Sequence, residues 1–529
     1  MAAADPRPYG RAPALGPGRG CGPERSRGRG PAWRHPGRRR SAIGAVVPGS
    51  SSIIISILPS DVAAATHELG AIPPGPDPIE LRADRLSAQD VAALVAGTER
   101  ELIVAVRRKA DGGSYEGDER ARRETLQAAL DAGARWIDVE WGGELAAMAD
   151  GPYADRVILS DHGAPCERDT LEQRVERMSR SLAARLKIVA RADRPSQIVV
   201  IRDLLRDQRD ERLCAFALGT AGALSRLLAP AWGSWGTYAA VRPGAATAPG
   251  QFTAEELRNL FNVLSIREST RIVALVGNDV FPASPSPAMH NAGYRALDLD
   301  RVYLPLQAED WSEVVAVSEA LGFAGLAVTM PFKGDAAGYV ARSDELSGVA
   351  RAVNTIVFEA EGPVGANTDG SAAVDCLEAH GLATGDRIDV LGAGGTGRAV
   401  AAALVLRGYH PRLWSRNAGP GLRAPARIEE RPFDGREHGD TDWLINATPL
   451  RDETLIGAGA PARKGVLDAV YGPRPTALVV NAKRAGLHVI DGLGLLGAQA
   501  EGQFELQTGR KPPPELFAAA GQRYLDELG

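Results

Sequence analysis

The stretch Asp389-Val-Leu-Gly-Ala-Gly-Gly-Thr-Gly-Arg-Ala-Val400 constrains the fold of this chain more than any other. The apolar run Ile388 to Leu391 reads as a buried parallel strand, and the alanine-rich segment to Arg407, ended by Gly408, reads as a helix. Between them Gly392, Gly394 and Gly397 fall in the G-x-G-x-x-G spacing. Strand, glycine turn and helix together point to a dinucleotide site. The first glycine makes the turn, the second admits a pyrophosphate close to the backbone, and the third lets helix pack on strand. Gly392, Ala393, Gly394, Gly395, Thr396 and Gly397 are therefore expected at the cofactor, with the helix N-terminus offering free amides and a positive dipole end to phosphate.

The next strand, Pro411 to Trp414, ends in Ser415-Arg416. A carboxylate there would hold a ribose 2'-hydroxyl, whereas arginine accepts a 2'-phosphate, so NADP is expected rather than NAD.

At 529 residues the chain has room for two or three domains. A net charge of -5 offers no general attraction to nucleic acid, and no apolar run approaches a membrane span. Cys21, Cys166, Cys214 and Cys376 form no C-x-x-C pair, which fits a reducing compartment without disulfides or structural zinc. No metal site is expected. Residues 1–50 are rich in Arg, Gly and Pro, cannot bury enough apolar surface to fold, and read as a disordered basic extension. The cytoplasm is the expected location, with plastid import by that extension as the alternative.

From Ser52 to about Gln251 short apolar strands alternate with helical stretches. The strands are expected at Ile53–Leu58, Ile79–Leu81, Leu102–Val106, Trp136–Val139, Val157–Leu159, Leu186–Val189, Leu213–Leu218 and Thr237–Val241. Eight such units in this length fit a TIM barrel, whose chemistry sits at the strand C-terminal ends. Those ends carry Glu80, Arg82, Arg107, Asp138, Glu140, His162, Lys187 and Arg226. Lys187 stands among Leu186, Ile188 and Val189, which is expected to disfavour its ammonium form and free the amine to attack a ketone. His162 is placed to move protons beside the resulting iminium. Each group also has an ordinary reading as a salt bridge or structural residue; their convergence on one rim favours chemistry.

The segments Pro78-Ile-Glu-Leu-Arg-Ala-Asp84, Trp136-Ile-Asp-Val-Glu140, Ile158-Leu-Ser-Asp-His162, Leu186-Lys-Ile188, Ser225-Arg226 and Ala248-Pro-Gly-Gln251 resemble, in order, the motifs of type I 3-dehydroquinate dehydratase. The resemblance implies Lys187 as the Schiff-base lysine and His162 as the general acid/base. It implies that Glu80, Arg82, Arg107, Arg226, Thr247 and Gln251 hold the substrate. Asp111, where the family often has glutamate, and Ala164, where it often has an aromatic, depart from the pattern.

After a helix expected over Thr253 to Leu264, the strand Ile272–Val276 opens a second α/β unit. Its loop carries Ser284 and Ser286 between prolines, and further on come Val328-Thr-Met-Pro-Phe-Lys333, Ala352-Val-Asn354 and Asn367-Thr-Asp369. A lysine and an aspartate facing one substrate can relay a proton during hydride transfer, although spacing alone equally permits a surface salt bridge. These stretches, with Ile445-Asn-Ala-Thr-Pro-Leu450, Asp468 to Pro473 and Asp491-Gly-Leu493, resemble shikimate dehydrogenase. The resemblance implies Lys333 and Asp369 as the catalytic pair. Ser284, Ser286, Thr329, Asn354, Tyr471 and Gln499 would line the substrate. The glycine turn, Ser415, Arg416, Asn446, Ala447, Thr448 and Gly492 would meet NADP. The serine loop has one extra residue, and the family's histidine–serine pair stands here as Ala283-Ser284.

The expected architecture is thus α/β throughout: a (β/α)8 barrel over 51–265, a small α/β substrate domain over 266–375, and a Rossmann NADP domain over 376–529 whose last helices return to the substrate domain. The product of the first implied reaction, 3-dehydroshikimate, is the substrate of the second, which makes a bifunctional shikimate-pathway enzyme the leading reading. An NAD-linked quinate or shikimate dehydrogenase of a catabolic route is the nearest alternative. A non-catalytic sensor of pathway intermediates is the alternative from another class. The partners expected are 3-dehydroquinate and 3-dehydroshikimate or shikimate, not nucleic acid or membrane; nothing in the sequence sets an oligomeric state.

Overall fold

The computed structural model describes residues 51–416, 428–433, 440–452 and 460–528; the basic segment 1–50 lies outside them. Eight parallel strands come first: β1 (Ser52–Ile57), β2 (Ile79–Arg82), β3 (Leu102–Ala105), β4 (Trp136–Glu140), β5 (Val157–Pro165), β6 (Arg185–Arg191), β7 (Leu213–Leu218) and β8 (Gly236–Ala240). They pair in the order β7-β6-β5-β4-β3-β2-β1-β8. The open seam between β7 and β8 is crossed by a bond from the Trp235 N–H to the Leu213 carbonyl, so the barrel is nearly closed. The expected strands are all present: β7 has the expected bounds, β1 and β8 are displaced by one residue, and β2, β3 and β4 differ by one residue at their C-terminal ends. β6 runs two residues further than expected, and β5 runs on past His162 to Pro165.

Alternation along these strands puts one set of side chains under the outer helices and the other inside the barrel. Both sets are buried, which is why β2, β3 and β4 read as continuous buried runs. The outer helices begin where polar side chains satisfy free amides. Ser87 and Asp90 form a reciprocal cap on Ala88–Ala96, and Asp118 caps Glu119–Asp131. The crossover from β4 to β5 is made by 3-10 turns at Glu144–Asp150 and Ala154–Arg156 rather than an α-helix. The helix expected over Thr253 to Leu264 is shorter than its apolar spacing suggested. A π-helical turn, Glu256–Leu260, stops before Asn262, whose φ of 50° cannot continue a right-handed helix.

The second sheet holds β9 (Arg271–Gly277), β10 (Arg301–Gln307), β11 (Gly325–Val328), β12 (Arg342–Ser343), β13 (Thr355–Glu359) and β14 (Gly362–Ala366), in the order β10-β9-β11-β13-β14-β12. It is mixed, with β13 antiparallel to both its neighbours. The third sheet is wholly parallel: β15 (Ile388–Leu391), β16 (Pro411–Ser415), β17 (Glu429–Pro432), β18 (Trp443–Asn446), β19 (Gly465–Asp468) and β20 (His488–Ile490), in the order β17-β16-β15-β18-β19-β20. Its strand order reverses at β15, and in such a sheet a ligand belongs in the crevice beyond β15 and β18.

The helices Gly492–Thr508 and Leu516–Leu528 leave this third sheet and pack with Ser286–Ala296, sharing a core of Met289, Tyr294, Tyr303, Phe504 and Phe517. Barrel and second sheet meet through Phe252, Phe261 and Phe281, whose ring centroids lie 5.0 to 5.8 Å apart. Across the same junction the Ser196 N–H donates to Glu313 at 2.9 Å. No helix among the described residues is long and apolar enough to cross a membrane.

Candidate active sites

Lys187 lies inside the barrel on β6 and is 2% exposed. Its surroundings differ from those its sequence neighbours suggested. Leu186 and Ile188 belong to the opposite face of the strand, while the ammonium donates to Asp138 Oδ2 on β4 and to Glu80 Oε1 on β2 at 3.4 Å. The face of Tyr238 lies 4.5 Å from Nζ. The amine is thus buried among carboxylates, and the expectation of an apolar shell that disfavours its charge is overturned by the pleat of the strand.

Those carboxylates are themselves fixed. Ser56 Oγ donates to Glu80 at 2.6 Å and Ser160 Oγ to Asp138 at 2.6 Å. Burial opposes ionisation of Asp138 and Glu80, but the nearby Lys187 and Arg107 charges outweigh it and hold both carboxyls below their usual range. Arg107 also bridges to Glu140 at 2.8 Å. Arg82 is spent on Asp84 at 2.6 Å, although it remains on the cavity wall.

His162 Nδ1 has two partners of opposite character. Arg107 Nη1, a donor only, stands at 2.5 Å, and Glu140 Oε2, an acceptor, stands at 3.2 Å. Burial and the Arg107 charge outweigh Glu140 and lower the imidazole pKa, so the ring is neutral at neutral pH.

Glu80, Arg82, Arg107, His162, Lys187, Arg226, Thr247 and Gln251 all border one cavity of about 210 Å³. Thr247 and Gln251 hold each other there, the Thr247 hydroxyl donating to Gln251 Oε1 at 3.2 Å. Asp111 lines the same cavity and ties down Arg108 at 2.6 Å. Arg226 is 1% exposed, and its Nε and Nη2 have no partner among the described residues. Burial lowers its pKa to about 10, and its guanidinium rests 4.5 Å from the Phe216 ring. A buried cation with idle donors in a polar cavity is built to receive an anion.

A second cavity, about 380 Å³, opens where the second and third sheets face each other. Lys333, at the start of the helix Lys333–Tyr339, donates to Asp369 Oδ2 and, at 2.9 Å, to Thr396 Oγ1 of the glycine turn. Asn354 Nδ2 reaches Asp369 Oδ1 at 2.7 Å, Thr368 Oγ1 at 2.9 Å and Gln499 Oε1 at 3.3 Å. Ser284, Ser286, Thr329, Tyr471 and Gln499 line the cavity with them, as do Ala447, Thr448 and Gly492. Ser286 begins a helix, Ser286–Ala296, so only the first part of the serine loop is a turn.

The glycine turn is shaped by close approaches. Gly392 has φ 97°, and a Cβ on Gly397 would lie 1.8 Å from the Gly392 carbonyl oxygen. A Cβ on Gly395 would press on Lys333 Cδ at 2.9 Å, whereas one on Gly394 would meet nothing within 4 Å. The second glycine of the motif therefore borders open space, which suits a phosphate approaching its backbone. Ala393 lies beside it, half-buried. Ser415 is buried at the end of β16, and Arg416 is exposed just beyond and makes no ion pair among the described residues. Asn446 sits deeper than a cofactor contact: it is 0% exposed and organises the turn after β18, donating to Asp468 at 2.9 Å and accepting from Thr448 Oγ1 at 2.7 Å.

Sequence reasoning noted Asp138 and Glu140 on the rim without giving them a task, and it passed over Ser56, Ser160, Tyr238 and Tyr303. Acids two apart on β4 were the available signal for the first two; the hydroxyls of Ser56, Ser160 and both tyrosines look like core until their partners are known.

Residues 53–268 match the family model of type I 3-dehydroquinase, and residues 275–356 match that of the shikimate dehydrogenase substrate binding domain. The chloroplastic bifunctional 3-dehydroquinate dehydratase/shikimate dehydrogenase of Arabidopsis thaliana is 29% identical over 501 residues, 87% of this chain and 81% of that protein. The shikimate dehydrogenase (NADP(+)) of Natronomonas pharaonis is 38% identical over 263 residues, 46% of this chain and 96% of that protein. That of Rubrobacter xylanophilus is 40% identical over 275 residues, 47% of this chain and 95% of that protein.

Proposed function

The chain belongs to the shikimate dehydrogenase family, with a type I 3-dehydroquinase barrel ahead of it, and we propose that it catalyses two consecutive reactions. The barrel dehydrates 3-dehydroquinate to 3-dehydroshikimate through a Schiff base at Lys187, and the second half reduces that product to shikimate with NADPH. The observation that carries the reading is a buried lysine–aspartate pair at each of two cavities in one chain, the first within reach of a histidine and the second bonded to the glycine turn.

In the barrel, Lys187 gives up a proton and its amine adds to the ketone carbon. Loss of water leaves an iminium that carries the same single positive charge as the ammonium it replaces. Asp138 and Glu80 therefore face an unchanged charge, and no reorganisation is needed as the adduct forms. The iminium acidifies the adjacent C–H. Neutral His162 takes that proton and later returns one to the departing hydroxyl as water leaves. Donating Nδ1–H to Glu140 leaves Nε2 free as the base, and the imidazolium formed when Nε2 takes the proton keeps that bond and is the acid of the later step. Arg226 holds the substrate carboxylate with its idle Nε and Nη2.

In the second half, bound NADPH would supply hydride. Gly394 leaves backbone room for its phosphates, and the exposed Arg416 at the end of β16 would hold its 2'-phosphate. The (NADP(+)) relatives agree with the arginine, and both argue against NAD. Lys333 hands a proton to the carbonyl oxygen and Asp369 holds the lysine in place, while Asn354 fixes Asp369 and, with Gln499, meets the substrate ring hydroxyls.

Purified full-length protein given 3-dehydroquinate and NADPH should show a rise in the absorbance of the conjugated product and then loss of nicotinamide absorbance. Conjugated product with no nicotinamide oxidation would remove the second activity, and no change in either signal would remove both.

A further inference from the structure

The reductase cavity contains a side chain that the proposed reaction does not use. Tyr303, on β10, is 0% exposed and lines the cavity, yet its hydroxyl makes no well-aligned hydrogen bond among the described residues and has only the nearby Ser286 hydroxyl as a polar neighbour on its own side of the cavity. Behind it the His290 ring stacks at 4.2 Å with an interplanar angle of 10°. Neither His290 nitrogen has a partner among the described residues, and the stacked geometry aims the phenol O–H along its own ring plane, away from the imidazole. Tyr294, Phe504 and Phe517 close the rest of the His290 pocket.

A buried, unsatisfied hydroxyl costs free energy in the empty protein, and phenylalanine would fill the same space without that cost. The hydroxyl gains its value when an acceptor enters. Its neighbours indicate which acceptor. The Ser286 hydroxyl is within hydrogen-bonding reach of it, Tyr471 lines the same cavity, and Ser284 Oγ donates to Ser286 Oγ at 3.1 Å. Burial pushes the Tyr303 phenol well above its ordinary 10, so it remains an O–H donor at neutral pH. The corner thus presents four hydroxyls, and Lys333, tied to Asp369 and Thr396, is the one lysine or arginine on the cavity wall among the described residues. Neutral donors lining one corner of a cavity are satisfied together by a carboxylate, with two oxygens and about four lone-pair sites.

We infer that Tyr303 donates its hydroxyl hydrogen to the carboxylate of the reductase substrate, and that His290 is a positioning residue that fixes the plane of the Tyr303 ring. This rests on the second reaction proposed above. The test uses the full chain with Tyr303→Phe, which deletes only the oxygen. KM for 3-dehydroshikimate should rise about 10- to 100-fold with kcat within about threefold, while KM for NADPH and barrel turnover stay put. The melting temperature of the ligand-free protein should change little, because the phenol has only the nearby Ser286 hydroxyl to lose. His290→Phe keeps a flat ring and should leave the substrate KM unchanged. His290→Ala should raise it as Tyr303→Phe does. An unchanged KM in Tyr303→Phe, beside an active wild type, overturns the inference alone. A lowered melting temperature with kcat and KM damaged together assigns Tyr303 to structure and also overturns it. A wild type that does not reduce 3-dehydroshikimate fails the second reaction, and this inference falls with it.

Discussion

Replacing Lys187 by methionine keeps most of the side chain and deletes only its charge. It leaves Glu80 and Asp138, 4% and 2% exposed, with one cation fewer between them. Breaking a buried pair from one side typically costs about 3–5 kcal/mol. The cost has a ceiling, because the site can instead take up a proton. Glu80, with an ordinary pKa of 4.5 against 3.8 for Asp138, is the cheaper to protonate. At about pH 7.5 that protonation costs about 4 kcal/mol, at about 1.4 kcal/mol per unit. At about pH 5.5 it costs only about 1.4 kcal/mol.

The sign of the pH dependence therefore inverts. In the native protein both carboxyls are held below their ordinary values, and that stability is present above about pH 4.5 and lost as pH falls. In the variant the folded state binds the extra proton, and stability falls as pH rises above about 4.5. Urea unfolding read by hydrogen exchange of peptides from β2, β4 and β6 isolates the barrel from the reductase. The variant's deficit should shrink by about 2.7 kcal/mol between about pH 7.5 and about pH 5.5. Borohydride trapping of substrate should vanish while reduction of 3-dehydroshikimate continues. A deficit equal at the two pH values would refute the charge argument.

Arg226→Met should raise the barrel's KM for 3-dehydroquinate about 10- to 100-fold without lowering barrel stability, since the buried guanidinium has idle donors in the free protein; steady-state kinetics beside a urea melt checks both. Arg416→Ala should cut the preference for NADPH over NADH, read as a ratio of kcat/KM values, by about tenfold, or about 1.4 kcal/mol. Lys333→Met should lower reductase kcat by at least about a hundredfold with a much smaller effect on shikimate binding, measured by turnover and calorimetry. Burial pushes the pKa of His290 to about 3, below its ordinary 6.5, so the folded protein loses stability as pH falls from 6.5 towards 3. His290→Phe should flatten that acid-side loss in a pH series of melting temperatures, and an unchanged slope would show that His290 is not its source.

Local pattern was enough for the skeleton. The apolar runs marked the barrel strands and β15, and the spacing of Gly392, Gly394 and Gly397 marked the crevice before any coordinates, because strand period and glycine turns are written within a few residues. The resemblance to two families named Lys187, His162, Lys333 and Asp369, and the fold brings each pair to its own cavity. What local pattern could not give was the company each group keeps. Lys187 looked apolar because its chain neighbours are Leu186 and Ile188, yet its charge partners are Glu80 and Asp138, 107 and 49 residues away. Asn354 meets Gln499 across 145 residues for the same reason. Asn446 fell inside a cofactor motif but is held in the interior by Asp468 and Thr448.

The amino-acid order alone determined which segments become strands, where the phosphate-binding turn lies and which side chains have the chemistry to react. Only the folded arrangement decided which of those side chains are charged, which are paired and which are left wanting a partner. Ionisation and hydrogen-bond satisfaction depend on every group within a few ångströms, and in a parallel α/β protein those groups arrive from strands far apart in the chain. Tyr303 is the clearest case, an aromatic on an apolar strand until the fold sets it in the wall of the reductase cavity with its oxygen buried and without a well-aligned partner among the described residues.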